Sequence, residues 1–171
     1  MGDLTANFST SEFLKYDAGR LTFATAAIPD WTSKAIQLRL LCQTILQPMR
    51  DGFGRMEIMS GYRSPEWNKV VGGSPTSDHL WTSGCCADVK PHEHSREALI
   101  DWLMDMLPFA WGEAIYYADT SHMHVGLPTA KDHGQLLFMH RPKKVTVEIP
   151  WRGSPKDASA KLRALIAQHP K

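Results

Sequence analysis

Three histidines and one aspartate stand at spacings that suit a metal site. The segment "SDHLWTSGCCADV", residues 77–89, places His79 nine positions before Asp88. Farther along, "SHMHVG" holds His122 and His124 two positions apart, so on a β-strand both side chains would project from one face. A zinc centre for hydrolysis takes three protein ligands of imidazole and carboxylate type and keeps a fourth position for water. His79, Asp88 and one histidine of "HMH" satisfy that count.

The same residues also have ordinary structural explanations. An aspartate before a strand is commonly a turn or cap residue, and a histidine on a strand can simply be exposed. The spacing alone therefore supports the metal site and these structural roles about equally. Cys85 and Cys86 are adjacent, and neighbours in a strand point to opposite faces, so both cannot easily reach one small site. We interpret these two cysteines as packing residues.

Size and composition restrict the classes of function. A chain of 171 residues fits one domain with its own core. Its 19 basic and 18 acidic side chains nearly balance, which argues against a general nucleic-acid binder. No apolar run reaches the ~20 residues of a membrane span, and the first residues do not form a secretion signal. We therefore predict no membrane insertion and expect synthesis in the cytoplasm.

The hydrophobic pattern predicts both helices and strands. Apolar residues at helical spacing indicate a long helix from Thr32 to Met49, disturbed near its end by Pro48. Two further helices are expected, one capped by Ser95 and one beginning at Pro155. Short apolar stretches between turn residues predict strands at "RMEIMS", "CADV", "EAIYY", "HMHVGL", "QLLFM" and "VTVEI". The fold class is therefore predicted as α+β, with helices flanking a small, mainly antiparallel sheet.

Five motifs follow one another between about residues 7 and 127, namely "FSTSEF", "LQPMRDGFG", "SGYRSPEWNKVVGGSPTSDHL", "GCCADV" and "HMHVG". In this order they resemble the zinc D-alanyl-D-alanine carboxypeptidases and related peptidoglycan endopeptidases, including phage endolysins. The resemblance implies the hedgehog-type fold of these peptidases, with a zinc peptidase core at residues 1–127. We expect residues 128–171 to form a C-terminal extension of strands and a terminal helix, packed on the same domain.

The resemblance also implies the ligands. In this family a Ser-x-His-x-x-Gly-x-Ala-x-Asp motif supplies two zinc ligands, and a histidine of a later strand supplies the third. The matching residues here are Ser77, His79, Gly84, Asp88 and His124. The implied cofactor is Zn2+, held by His79, Asp88 and His124. Two departures stand out: the loop between His79 and Gly84 is two residues longer, and Cys86 replaces the usual alanine. Trp81 in that loop could line the cleft or fill the loop against the core.

Relatives take their catalytic base from an acidic residue or a histidine close to the third ligand. The candidates here are Asp119, His122 and, behind them, Glu113. Asp119 stands three residues before His122, as the catalytic acid stands before the ligand in some relatives. In that register His122 is the ligand and Asp119 the base. We favour His124 as the ligand, because "HMHV" matches the family form better, and leave the base open between Asp119 and His122.

Two further residues are implied in substrate binding. Arg63 in "SGYRSP" matches the family arginine that helps to hold the substrate. Its planar set of donors suits a peptide carbonyl or a terminal carboxylate. Ser77 could position the substrate by hydrogen bonding.

The implied function is zinc-dependent hydrolysis of peptide bonds in the stem peptides of bacterial peptidoglycan, in phage lysis or cell-wall entry. Carboxypeptidase and endopeptidase activity both remain open. The expected place of action is the bacterial cell wall, and other virion proteins are possible partners. The alternative is a non-catalytic virion structural or binding protein that retains the fold. The longer loop after His79 and the unmatched residues from about 128 onward favour this alternative.

Overall fold

The computed structural model describes residues 4–16, 21–22, 24–82, 84–130 and 133–170. Its α-helices are α1 (Thr10–Phe13), α2 (Trp31–Leu41), α3 (Gln47–Phe53), α4 (Pro65–Val70), α5 (Arg96–Met106) and α6 (Pro155–Gln168). Its strands are β1 (Lys15–Tyr16), β2 (Leu21–Thr22), β3 (Met56–Ser60), β4 (Cys86–Pro91), β5 (Glu113–Tyr117), β6 (Met123–Gly126), β7 (Gln135–His140) and β8 (Val145–Glu148). Short 3-10 turns occur at Thr25–Ala27 and Asp78–Leu80.

The main sheet has six strands in the order β3-β4-β6-β5-β7-β8. All neighbouring pairs are antiparallel except β5 and β7, which run parallel. The predicted α+β class, with a mainly antiparallel sheet and flanking helices, is therefore confirmed. β1 and β2 form a separate two-stranded sheet.

The predicted helix from Thr32 to Met49 is present but interrupted. α2 ends at Leu41, a wide π-type turn covers Cys42–Leu46, and α3 follows directly. The wide turn falls just before Pro48, whose missing N–H and bulky ring cannot continue the regular hydrogen-bond pattern of an α-helix. The apolar stripe along these turns is fully buried, as at Cys42.

The register of the sheet separates its two faces. Ala87, Val125 and Ala114 are cross-strand neighbours, and so are Val89, Met123 and Tyr116. These side chains form the core face. α5 packs there, since Arg96 lies 4.1 Å from the centre of the Tyr116 ring. The opposite face carries Asp88, whose cross-strand neighbour is His124.

The C-terminal segment continues the same sheet. β7 pairs with β5 and β8 pairs with β7, while α6 contacts α5. The division at residue 127 remains a prediction. Among the described residues, no helix combines the length and apolarity that crossing a bilayer requires.

Candidate metal centre and cleft

His79 is positioned by a short turn and a buried tryptophan. The Ser77 hydroxyl accepts a 3.4 Å hydrogen bond from the His79 amide at the start of the 3-10 turn. Trp81 ends the turn with a left-handed backbone (φ 50°). Its ring is 1% exposed and its Nε1 donates to the Cys86 carbonyl at 3.2 Å. Trp81 therefore fills the longer loop against the core; Ser83 of that loop lies outside the described residues.

The ring of His79 has a defined tautomer. Its Nδ1 lies 2.6 Å from the Gly61 carbonyl, which can only accept, so Nδ1 carries the proton and Nε2 a lone pair. Gly61 is required at this point because a Cβ there would lie 2.4 Å from the Phe13 carbonyl oxygen. The glycine of "SGYR" therefore lets the Phe13 backbone pack closely against the segment whose carbonyl orients the imidazole.

The Asp88 carboxylate joins the two histidines. Its Oδ1 accepts a 3.1 Å hydrogen bond from His124 Nδ1 and lies 3.2 Å from His79 Nε2. The three side chains are almost completely buried, and the two imidazole rings meet edge to face with centroids 5.0 Å apart. The structure thus brings together the three predicted ligands, although their role as ligands remains a prediction.

Arg63 contacts the same carboxylate from the other side. Its Nη2 donates to Asp88 Oδ2 and its Nε to Ser60 Oγ, each at 2.9 Å. The Arg63 side chain is 19% exposed and also lines the cleft described below. The residue predicted to bind substrate therefore also orients Asp88.

The three residues fit a zinc ion. Ligands on a tetrahedral zinc with bonds of about 2.0–2.1 Å lie about 3.3 Å apart. The 3.2 Å separation between His79 Nε2 and Asp88 Oδ1 is close to that edge; for His124 the free donor is Nε2, because its Nδ1 donates to Asp88. In addition, the buried Nε2 atoms of His79 and His124 have no hydrogen-bond partner among the described residues. Buried polar atoms without partners are costly, and a metal ion would satisfy them.

The protonation states of Asp88 and His79 also suit a cation, whereas that of His124 favours the protonated ring. Burial raises the pKa of Asp88, but the adjacent histidines outweigh it and hold that pKa well below its usual value. Burial lowers the pKa of His79, which favours the neutral ring that metals bind. For His124, burial lowers the pKa, but the hydrogen bond and charge of Asp88 raise it above its ordinary value.

Two other groups in the same region could hold an ion. A ligand atom from each of His79, Cys86 and His124 lies within 4.8 Å of the others. The same holds for Asp78, Glu113 and His124. Asp78 was not among the predicted site residues, and Cys86 was interpreted as a packing residue. The position of Cys86 two residues before Asp88 on one strand is the signal that could have indicated a shared face.

The three candidate bases occupy different places. His122 Nε2 lies 3.9 Å from Asp88 Oδ2, and the ring packs edge to face against Tyr117. Asp119 accepts from Arg141 Nε at 2.9 Å and also pairs with its Nη2. Partial burial raises the pKa of Asp119, but the bonds from Arg141 lower it below its usual value. Glu113 lies beside His124, with Oε1 3.8 Å from Nε2.

A cleft of about 790 Å3 opens over these residues. Its lining includes five residues of the candidate site, namely Arg63, Ser77, His79, Glu113 and His124. Its floor continues across β5 and β7 through Ile115, Tyr117, Leu137 and Met139. Asp119 and His122 are described by the structure but do not line this cleft. The volume lies within the range of small-molecule and peptide binding sites.

A comparison with curated proteins gives no match. A sequence model of the family Peptidase M15 matches residues 6–126, which is most of the chain and includes every residue of the candidate metal centre. The chain therefore belongs to the Peptidase M15 family, whose members are zinc-dependent metallopeptidases.

Proposed function

We propose that this protein is a zinc peptidase that hydrolyses peptide bonds in the stem peptides of bacterial peptidoglycan. The observation that carries the proposal is that His79 and His124 line a cleft and meet Asp88 beneath it, and that their Nε2 atoms have no hydrogen-bond partner in the part of the chain that the structure describes. The family match supports peptidase chemistry. Peptidoglycan as substrate, and a role in phage lysis or cell-wall entry, are part of the proposal.

His79, Asp88 and His124 would hold the zinc. A zinc ion bound there supplies Lewis-acid chemistry, which activates water and polarises a peptide carbonyl. Arg63 holds the second oxygen of Asp88, and the Gly61 carbonyl holds the second nitrogen of His79. Such outer contacts fix the orientation of ligands and raise their affinity for the metal.

We assign the general base to Glu113 ahead of Asp119 and His122. The Glu113 side chain is 16% exposed, lines the cleft and lies beside His124. A carboxylate in this position can take the proton of the attacking water and pass it to the leaving amine. Asp119 is held by Arg141, and a carboxylate with a lowered pKa is a weaker base.

The cleft indicates how a peptide would lie. Ser77 and Arg63 are at the metal end, while half-buried apolar side chains of β5 and β7 continue the floor. An extended peptide would therefore run from the metal centre toward Met139 and Arg141. A substrate reaching both sides of the scissile bond would make the protein an endopeptidase, and a substrate ending beside the metal would make it a carboxypeptidase.

The proposal is tested by zinc content and cleavage of purified peptidoglycan. We expect one zinc per chain in the wild type, with release of stem-peptide fragments detected by mass spectrometry. His79→Ala should lose both, because it removes a ligand. His133→Ala, which changes an exposed histidine outside the site, should retain both.

If the wild-type protein is folded but contains no metal and cleaves no peptidoglycan, the proposed enzymatic activity is contradicted. This result would favour the alternative of a non-catalytic virion structural or binding protein. If the protein binds zinc but does not cleave peptidoglycan, the proposed metal centre is supported and peptidoglycan is rejected as the substrate.

A further inference from the structure

Cys86 lies on the same face of the sheet as two of the proposed ligands. It stands two residues before Asp88 on β4, so both side chains project from that face. Across the sheet it pairs with Gly126, which stands two residues after His124 on β6. The strand register therefore places a thiol next to the metal centre, at the position where related peptidases usually have alanine.

Cys86 is close enough to share an ion with the histidines. One ligand atom each from His79, Cys86 and His124 lies within 4.8 Å of the others. Gly126 leaves the space between them open. A Cβ on this glycine would lie 3.3 Å from the Cys86 Cβ and 3.8 Å from His124 Nε2.

A second observation points to a ligand in this space. The Nε2 atoms of His79 and His124 have no hydrogen-bond partner among the described residues, and the two side chains are only 4% and 3% exposed. Two unpartnered imidazole nitrogens and one thiol form a donor set that suits a soft divalent ion. A packing role for Cys86 explains its burial but leaves the two nitrogens unsatisfied.

We propose that Cys86 is a metal ligand, and that its thiolate joins His79 and His124 around a soft or borderline divalent ion such as Cd2+ or Co2+. On binding, the thiol proton is released to solvent. With Asp88 the site then has four protein donors, as in structural zinc centres, which leave no open position for water. The thiolate-bound form is therefore a closed state, favoured by soft ions, of the site that the proposed function uses.

The test is a titration of the full-length protein with Co2+, followed by absorption spectroscopy. We expect a thiolate-to-cobalt charge-transfer band in the near ultraviolet for the wild type. Cys86→Ala should lose this band and keep the visible cobalt bands, because three other donors remain. Cys85→Ala is the matched control, since its buried side chain is adjacent in sequence but lies on the other side of the strand; it should keep the charge-transfer band.

Cadmium affinity gives a second measurement. Cys86→Ala should weaken Cd2+ binding at least about tenfold more than it weakens Zn2+ binding, because the thiolate is the soft ligand. Cys86→Ser keeps the size of the side chain and should show the same selective loss. Circular dichroism checks that each variant is folded.

The proposal is overturned if wild-type protein binds cobalt without the charge-transfer band, binds no cobalt, or if the band survives in Cys86→Ala. Cleavage of peptidoglycan by the wild-type zinc form is measured separately. Cleavage without a thiolate band rejects only this inference. A thiolate band without cleavage rejects only the proposed function.

Discussion

Nη2 of Arg63 donates a 2.9 Å hydrogen bond to Oδ2 of Asp88, while Oδ1 of the same carboxylate lies between His79 and His124. One arginine thus determines how the central carboxylate is presented. The carboxylate is nearly fully buried, so its orientation depends on these few contacts.

Replacing Arg63 with glutamine should weaken zinc binding. The loss of the contact to Asp88 leaves one carboxylate oxygen without its donor, and we expect a loss of about 10–100-fold in zinc affinity. Competition with a chromophoric chelator measures it. Arg39→Gln, at an exposed helical position, is the control and should leave the affinity unchanged. An unchanged affinity for Arg63→Gln would show that Asp88 is oriented without it.

The general base can be identified by three substitutions. Glu113→Gln should keep one zinc per chain and lower kcat by about 10²–10⁴-fold, because the proton acceptor is removed. Asp119→Asn and His122→Ala should lower kcat much less. The measurement is kcat from stopped assays, together with the zinc content of the same samples. A large loss of kcat at full zinc content in one of the latter two would assign the base to that residue instead.

Arg96 should be important for stability. Its guanidinium is buried and donates to the carbonyls of Tyr117 and His122, which ties the turn between β5 and β6 to α5. Arg96→Gln leaves these carbonyls without their donor, so we expect a loss of about 2–4 kcal/mol in the free energy of unfolding. Urea unfolding measures it, with Arg39→Gln as the control. A loss below about 1 kcal/mol would mean that the turn is held by other contacts.

The pH dependence of stability should contain a contribution from Glu97. Partial burial raises its pKa, but the hydrogen bond from the Tyr116 hydroxyl outweighs this and lowers the pKa below its ordinary 4.5. Folding therefore favours the ionised form. The stabilisation is complete above pH 4.5 and is lost as the pH falls through the lower folded-state pKa.

Urea unfolding between pH 3 and pH 7, with and without Glu97→Gln, tests this expectation. The variant should lose stability less steeply on acidification than the wild type, because it has no carboxylate to protonate there. If the free energy of unfolding falls equally steeply with acidification in both proteins, Glu97 does not contribute to the pH dependence of stability.

The floor of the cleft over β7 should affect substrate binding. Met139 is half-buried and lines the cleft. Met139→Trp would fill part of the path of an extended peptide, so we expect KM to rise several-fold with zinc content unchanged. Ala160→Trp, at an exposed position of α6 that does not line the cleft, is the control. An unchanged KM for Met139→Trp would place the peptide elsewhere in the cleft.

The strands of the main sheet were predictable because they are short apolar stretches bounded by turn residues. "EAIYY" coincides with Glu113–Tyr117, and "QLLFM" falls within Gln135–His140. The parallel pairing of β5 with β7 could not be predicted, because the hydrophobic periodicity of a strand is the same whether its neighbour runs parallel or antiparallel. The wide turn at Cys42–Leu46 was also not foreseen, although Pro48 indicated a disturbance there.

The candidate site was predictable only in part. The shared face of His122 and His124 follows from strand periodicity, and both imidazoles do approach Asp88. The position of Glu113 depends on the pairing of β5 with β6, which brings residues far apart in sequence together. The approach of Arg63 to Asp88 likewise arises from packing between a loop and a strand, and spacing along the chain carries no information about it.

The position of the C-terminal strands has a consequence for fragments of this protein. β7 covers the edge of β5, the strand that begins with Glu113. A fragment that ends near residue 127 would retain every proposed ligand but expose the unpaired amides and carbonyls of β5. Exposed, apolar strand edges recruit other chains, so such a fragment should aggregate rather than remain monomeric.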